Sequence, residues 1–401
     1  MDRLQITPSG HDFSGLHAAM RRPVQGNLLA GVSSAVLVGQ DLVDLHCEGL
    51  ADRESGEPLR TDHLFRVFSN TKLLTSMAVL MLHEQGAVDL DEPVHRHLPQ
   101  LAQRRVLRPG AQSLDDNEPA QADITLRHLL THTAGLSYGV LDPGSLMFKA
   151  YVAAQVNHPM SSLAQMMDAL APLPLVFHPG RGWEYSIATD VVARLVEVLS
   201  GMRFGDYLRQ HILGPLGMHD TGFVVPPAEQ HRLTAMYAGA DLFAPMTPGL
   251  TRMDHHPFPQ AYRVAVPRQS GGGGLVSSLG DWVTLLRSLL PGGQALLKPA
   301  TLRLMMTDQL PAGLNVRFVG LGEMPWQGHG LAGGVWRQAG PREPAAMAGQ
   351  FAWGGIAGTH WWIHPAHGIA GIDMAQRHMG FSHPFAAELR LEVYRALKLA
   401  S

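Results

Sequence analysis

The sequence predicts a mixed α/β (α+β) fold, in which an antiparallel sheet flanked by helices is joined to a mostly helical domain. Short β-like runs lie near both ends of the 401-residue chain, while the middle shows helical periodicity and long loops. Because the strands at the two ends flank the helical region, we expect them to share one sheet. The sheet domain is then discontinuous, with residues 1–90 and 268–401, and residues 91–267 form the helical domain with lid-like loops.

The N-terminal part predicts a helix, a hairpin and a second helix. Residues 12–22 are assigned to the first helix, and the β-like runs Ser33–Val38 and Leu42–Cys47 are separated by Gly-Gln-Asp, which suits a hairpin loop. A further β-like run, His63–Phe68, precedes a predicted amphipathic helix from Asn70 to Gln85, where apolar residues recur at helical spacing.

The rest of the chain predicts short helices, two long excursions and a closing meander. Residues 104–123 and 225–267 are rich in Pro, Gly, Asp and Gln, so we expect loops that shape a pocket. The glycine run Gly271–Gly274 lacks the spacing of a phosphate-binding loop and is interpreted as a flexible, close-packed turn. Predicted helices are Leu126–Thr131, Val191–Leu199, Phe204–Ile212, Ser278–Leu290 and Pro384–Leu399, and predicted antiparallel strands are Gln350–Trp353, His360–His364 and Gly368–Gln376.

Composition narrows the class of protein. Hydrophobic residues make up 45% of the chain and charged residues 16%, which supplies a sizeable core. The net charge of −3 and the lack of a basic run argue against a nucleic-acid partner, and the single cysteine, Cys47, excludes an intrachain disulfide. The longest apolar run, around Leu73–Leu82, is too short for a membrane span. No apolar signal segment begins the sequence, so we expect a cytoplasmic protein, or a periplasmic one if a signal has been removed.

Histidine is frequent, yet the sequence predicts no metal and no cofactor. The 22 histidines are scattered along the chain. His128 and His132 are four residues apart on a predicted helix, a spacing that suits a metal, but no H-E-x-x-H motif accompanies them. We interpret both as polar or partly buried side chains.

Two serines compete as the candidate nucleophile. The segment Gly135–Gly139 reads G-L-S-Y-G and so matches the G-x-S-x-G pattern of a nucleophile elbow. An elbow requires a strand before the serine and a helix after it, whereas Ser137 follows a helix-like run and precedes a turn-prone loop. With 43 glycines in the chain, the pattern also arises readily by chance. We therefore do not expect Ser137 to be the nucleophile.

Ser69 has the better setting, because it opens an S-x-x-K motif at the start of a predicted long helix. Residues three apart share a helix face at ~4.5 Å of axial rise, so the amine of Lys72 can reach the serine hydroxyl. A partly desolvated lysine can take the proton, and the helix N-terminus favours developing negative charge. The motif alone is weak, since a helix N-cap serine beside a solvated lysine has the same spacing.

Further segments make the pattern specific. The successive segments FRVFSNTK, ITLRHLLTHTAGL and P-G-x-x-W-x-Y-S (Pro179–Ser186) resemble the serine β-lactamase-like superfamily, and most closely the family VIII carboxylesterases, which are related to class C β-lactamases and penicillin-binding proteins. Asp190, the SGGGGLVSS stretch and the late W-G-G segment also fit. The resemblance covers about residues 15–395 and implies a β-lactamase/penicillin-binding-protein-like fold.

The resemblance also implies the catalytic roles. Ser69 would form the acyl-enzyme, and Lys72 and Tyr185 would share the role of base, with the order of proton transfer left open. The oxyanion would be bound by the backbone N–H groups of Ser69 and Ile356, each worth ~3–4 kcal/mol of barrier.

Two departures from the lactamase pattern imply a neutral ester substrate. Trp353, Gly354 and Gly355 stand where lactamases carry Lys/His-Thr-Gly, so an apolar wall replaces the cation that binds a substrate carboxylate. We expect the two glycines to let the substrate approach the backbone closely. The segment Tyr185–Ile187 also lacks the asparagine of the class C Tyr-x-Asn motif, and Tyr138 is predicted to line the substrate entrance.

The sequence therefore predicts a serine carboxylesterase that hydrolyses small-molecule esters of small or medium acyl groups through an acyl-serine intermediate. The same site leaves β-lactamase, D-aminopeptidase or amidase, and acyltransferase activities open. A non-catalytic penicillin-binding module is disfavoured, because all three catalytic residues are present. The physiological ester, the acyl-chain limit and the oligomeric state are not determined by the sequence.

Overall fold

A computed structural model of the protein describes residues 4–241, 244–318, 322–341, 343–380 and 383–400. The helices are α1 Ser14–Gln25, α2 Thr71–Glu84, α3 Leu126–Leu130, α4 Leu146–Ala153, α5 Leu163–Leu170, α6 Ala188–Ser200, α7 Phe204–Leu208, α8 Gly214–Leu216, α9 Leu279–Leu289, α10 Pro299–Met306 and α11 Phe385–Ala396. The strands are β1 Gly31–Val38, β2 Asp41–Asp52, β3 Glu57–Pro58, β4 Leu64–Arg66, β5 Arg105–Leu107, β6 Asn117–Pro119, β7 Tyr237–Gly239, β8 Leu250–Arg252, β9 Val276–Ser278, β10 Val316–Phe318, β11 Gly322–Met324, β12 Gln327–His329, β13 Gly334–Trp336, β14 Phe351–Gly355, β15 Thr359–His364, β16 Ile369–Ala375 and β17 Arg377–His378. No helix in these ranges has both the length and the apolar character needed to cross a membrane.

An eight-stranded antiparallel sheet joins the two ends of the chain. Its strand order is β12-β13-β14-β15-β16-β1-β2-β3. Strand β1 pairs with β16, where Val32 lies opposite Ala375, so the prediction that both chain ends share one sheet is confirmed. The predicted meander corresponds to β14, β15 and β16. Strands β12 and β13 were not predicted from the sequence, because each has three residues, too few to show the period of a strand.

The core continues from the sheet into the helical region. Helices α1 and α11 pack together on one face of the sheet, and α9 covers the other face. Helix α2 packs against α6, and the largest apolar cluster runs through both. The helix predicted here is present, but the prediction that it is amphipathic was wrong, because α2 is buried on nearly all sides. The division at residues 90 and 268 into a sheet domain and a helical domain stays a prediction.

The two predicted excursions contain short strands. Residues 104–123 include the hairpin of β5 and β6. Residues 225–267 include β7 and β8, and β7 also pairs with β17 from the C-terminal part, so this segment is attached to the sheet side of the molecule. Residues 242 and 243 of this segment lie outside the described ranges.

Candidate active site

Ser69 is held in a strained turn immediately before α2. It occupies a 3₁₀ turn, Phe68–Asn70, and so precedes the α-helix rather than beginning it. Phe68 has a φ of +41°, in the left-handed region that bulky side chains rarely adopt. Two hydrogen bonds of Val67 hold this turn in place. Its N–H donates to the Leu275 carbonyl, and its carbonyl accepts from Thr359 Oγ1. Strain of this kind persists only where the surroundings fix it, and it is common at functional sites.

Lys72 lies beside the serine in a buried pocket. Its side chain is 3% exposed, and Nζ is 3.5 Å from Ser69 Oγ. Nζ also donates to the carbonyl of Gly272, at 2.7 Å. A Cβ atom at Gly272 would lie 2.5 Å from Asp190 Oδ2 and 3.4 Å from Lys72 Nζ. The glycine run is therefore close-packed, as predicted, and it positions the lysine between the serine and a buried carboxylate.

Tyr185 completes the group. Its hydroxyl donates to Ser69 Oγ at 2.7 Å, and Lys72 Nζ lies 4.6 Å from the centroid of its ring. The structure thus brings together the three residues predicted to be catalytic, although they come from two distant parts of the chain.

Aromatic rings fix the orientation of Tyr185. Its ring centroid is 4.9 Å from that of His132, 5.5 Å from Trp353 and 5.7 Å from Phe318. His132 is buried rather than merely polar, with Nδ1 3.1 Å from Ser186 Oγ. Burial, then His329 and Lys72, holds the pKa of His132 well below its usual value, so a neutral imidazole supports the tyrosine. The contact of His132 with the ring of Tyr185 was not predicted from the sequence.

The predicted oxyanion donors lie next to each other. Ile356 follows the end of β14 and packs against a small apolar cluster that includes Phe68, the residue before Ser69. Both Ser69 and Ile356 line the same cavity. Outside the helices and strand ladders, no hydrogen bond between described residues uses the N–H of either residue. The binding of an oxyanion by these two N–H groups stays a prediction.

Three of the four predicted substrate contacts line this cavity. Tyr138, Trp353 and Gly354 do so, whereas Gly355 is absent from the lining. A Cβ atom at Gly355 would lie 2.4 Å from the Val67 carbonyl oxygen, so this glycine serves the protein's own backbone contact. This contact gives a separate reason for the glycine, and close approach of the substrate to Gly355 stays a prediction.

Replacing Gly355 by alanine is expected to push β14 away from the Ser69 turn, because the added methyl group meets the Val67 backbone. We expect a loss of roughly 1–3 kcal/mol in the free energy of unfolding, together with a lower kcat. Thermal unfolding and hydrolysis of p-nitrophenyl butyrate measure the two effects. Gly222→Ala is the matched control, since its Cβ atom would have no atom nearer than 3.8 Å. Equal behaviour of the two variants would contradict the assigned contact.

Ser137 lies outside this group. It is buried, and its Oγ donates to the carboxylate of Glu184, whose pKa is raised by burial. Its N–H donates to the hydroxyl of Tyr151. In the described part of the chain Ser137 is not among the residues that line the cavity. Its hydroxyl and N–H serve to hold a loop behind Tyr185.

The cavity has a volume of about 640 Å³. Much of its wall is apolar, and this apolar part is formed by Val140, Leu141, Phe223, Phe258, Val264, Val266 and Phe318. Arg268 also lies there, but it donates to the Val156 carbonyl and lies 3.8 Å from Asp190. No group of three metal-ligating side chains occurs within the described ranges.

Comparisons with known proteins find relatives that match over nearly the whole chain. Esterase EstB of Burkholderia gladioli is 32% identical over 396 residues, which cover 94% of each chain. Acyltransferase calJ of Penicillium decumbens is 32% identical over 404 residues, which cover 97% of this chain and 90% of that protein. Among solved structures, EstCE1, a hydrolase with promiscuous acyltransferase activity, has a TM-score of 0.78 at 24% identity and covers 95% of this chain and 97% of that one.

A family model described as Beta-lactamase matches residues 16–395. This range agrees with the extent of the resemblance found in the sequence, and the fold class is confirmed by the solved structures. The chain therefore belongs to the β-lactamase family.

Proposed function

We propose that this protein is a serine carboxylesterase that cleaves neutral esters of small or medium acyl groups through an acyl-Ser69 intermediate. The observation that carries the proposal is the contact of Ser69 Oγ with Tyr185 at 2.7 Å and with Lys72 Nζ at 3.5 Å. A serine hydroxyl becomes a useful nucleophile only when a neighbouring group removes its proton.

The reaction follows from these contacts in two halves. Oγ attacks the ester carbonyl while the Lys72–Tyr185 pair takes the hydroxyl proton, and the N–H groups of Ser69 and Ile356 bind the resulting oxyanion. Collapse of the tetrahedral intermediate breaks the bond to the alkoxy group, which leaves with that proton as the alcohol. A water molecule then attacks the acyl-enzyme and gives a proton to the same pair. The pair returns this proton to Ser69 Oγ as the bond between Oγ and the acyl group breaks, and the acid leaves.

The walls of the cavity support a neutral substrate. Trp353 lies where a lactamase would present a cation, and its ring centroid is 5.5 Å from that of Tyr185. Arg268, which also lines the cavity, donates to the Val156 carbonyl and lies close to Asp190. An anionic carboxylate therefore finds little compensation there for losing its water.

Acyl transfer to an alcohol is the second candidate function. A relative that this chain resembles over nearly its whole length is named an acyltransferase. The acyl-enzyme is common to both reactions, and only the acceptor differs. Adding 1-butanol to the hydrolysis of p-nitrophenyl butyrate and measuring the fraction of butyl butyrate separates the two.

Hydrolysis of p-nitrophenyl acetate and butyrate is expected to exceed that of the β-lactam nitrocefin by roughly 10²-fold or more in kcat/KM, because the β-lactam brings a carboxylate and an acylamino group without partners. Steady-state rates on the three substrates measure this ratio. Equal turnover of nitrocefin would contradict the ester assignment and favour a lactamase.

A further inference from the structure

The cavity does not end at the catalytic group but continues past the edge of β14 towards the start of α11. Four polar side chains line this continuation, and we name them the far-end site: His360, Asp373, His383 and Arg390. None of them takes part in the proposed hydrolysis.

His360 and Asp373 form an oriented pair. They are opposite each other in the ladder of β15 and β16, and His360 Nδ1 lies 3.1 Å from Asp373 Oδ2. Asp373 is 3% exposed, so this contact is enclosed. Because Nδ1–H donates to the carboxylate, the Nε2 atom of neutral His360 presents a lone pair.

The Nε2 atom of His360 faces the strand that carries the oxyanion donor. Gly354 lies opposite His360 in the ladder of β14 and β15. A Cβ atom at Gly354 would lie 2.4 Å from His360 Cδ2 and 3.0 Å from Nε2. The glycine thus makes room for the imidazole, and within the described ranges Nε2 has no hydrogen-bond partner. The side chain of His360 is 18% exposed, and this residue lines the cavity.

His383 and Arg390 supply two donors without partners. His383 is 5% exposed, and its Nδ1 accepts from the N–H of Phe385, so Nε2 carries the hydrogen. Arg390 donates from Nη2 to a carboxylate oxygen of Glu343 at 2.8 Å, so its Nε–H is a second donor that this contact does not use. Both the Nε2 atom of His383 and the Nε atom of Arg390 are buried without a hydrogen-bond partner in the described structure. Buried donors left unpaired are costly, which points to an oxygen atom of a ligand.

The charged groups of the far-end site already have partners within the protein. Arg390 is paired with Glu343, and Asp373 with His360. An ion therefore gains little there, whereas a hydroxyl group can accept from a donor and donate to the lone pair of His360. We propose that the far-end site binds a hydroxyl group carried by the substrate away from the scissile ester. The protein is then selective for hydroxylated esters, an inference that rests on the proposed function.

Two matched substrate pairs test this selectivity, one for each side of the ester. They are octyl butyrate with 8-hydroxyoctyl butyrate, and ethyl octanoate with ethyl 8-hydroxyoctanoate. The wild type is expected to prefer the hydroxylated member of at least one pair by roughly 3–10-fold in kcat/KM, as one net hydrogen bond allows. In His360→Leu the ratio should fall to about one. A general loss of folding or catalysis would lower both rates and leave their ratio unchanged, which would count against the proposal.

His364→Gln is the matched control, because this histidine is buried on the same strand, bonds to the Ala348 carbonyl and is absent from the described lining. It should keep the wild-type ratio. A ratio of one in the wild type for both pairs overturns the inference, even if p-nitrophenyl esters are hydrolysed well.

A binding measurement keeps the test independent of turnover. Calorimetry with the Ser69→Ala protein compares 1-hexanol, 1-octanol and 1-decanol with the corresponding terminal diols. At least one diol should bind several-fold more tightly than its alcohol, and His360→Leu should remove the difference. Equal binding of every alcohol and its diol would reject the far-end site whether or not the protein is an esterase.

Discussion

Replacement of Ser69 by alanine is expected to lower kcat/KM for p-nitrophenyl butyrate by roughly 10³–10⁶-fold, the largest effect of any single change. Among the described residues, only Ser69 is in hydrogen-bond contact with both Tyr185 and Lys72, so its loss leaves no hydroxyl there to accept the acyl group. Residual catalysis from the oxyanion donors sets the lower limit of the rate. Steady-state kinetics and mass spectrometry of acid-quenched protein measure the effect, with the acyl adduct mapped to the peptide that contains Ser69.

Ser137→Ala is the control for this experiment. Its hydroxyl donates to Glu184 and lies outside the described lining of the cavity, so the change should alter the rate only a few-fold. The opposite pattern, with an adduct on Ser137 and activity kept in Ser69→Ala, would restore the nucleophile-elbow interpretation and refute the proposed mechanism.

Replacement of Tyr185 by phenylalanine is expected to lower kcat by roughly 10²–10⁴-fold. The ring keeps its contacts with His132, Trp353 and Phe318, so the loss isolates the hydroxyl, which lies 2.7 Å from Ser69 Oγ. Single-turnover kinetics should show slower acylation and slower deacylation, because the same pair handles both protons. Slowing of only one half would mean that Lys72 alone serves the other.

Tyr207→Phe provides a matched tyrosine control. This residue is buried, and among the described residues the hydrogen-bond partner of its hydroxyl is the Ala78 carbonyl, at 3.5 Å. Its loss should cost about 1 kcal/mol or less in stability and leave the acylation rate unchanged. If both variants were slowed equally, general loosening of the core would explain the result better than chemistry.

The candidate catalytic residues could be identified in the sequence because each lies in a local motif. Ser69 and Lys72 are one helical turn apart, and Tyr185 stands in a motif just before a helix, so each carries its own signal in the sequence. Their assembly was not predictable from periodicity, and it came from the resemblance. Trp353 could be placed for the same reason.

Other features depend on strand register, which the sequence does not display. His360 and Asp373 look like unrelated polar residues until β15 and β16 pair, and only then do they face each other. Gly355 likewise shows no sign that its neighbour is Val67, a residue far away in the chain. Long-range backbone contacts of this kind have no local pattern to read.

The pairing of β1 with β16 has a consequence for how the protein is made. Strand β1 is almost entirely buried in the finished sheet, yet its partner β16 is synthesised long after it. Until then β1 presents an unpaired apolar edge, which invites aggregation. Pairing over so long a loop is also slow. We therefore expect folding of the sheet to wait until β16 has been synthesised and to draw on holding chaperones. The proposed catalytic group is then complete only after Ile356, its proposed second oxyanion donor, has been synthesised.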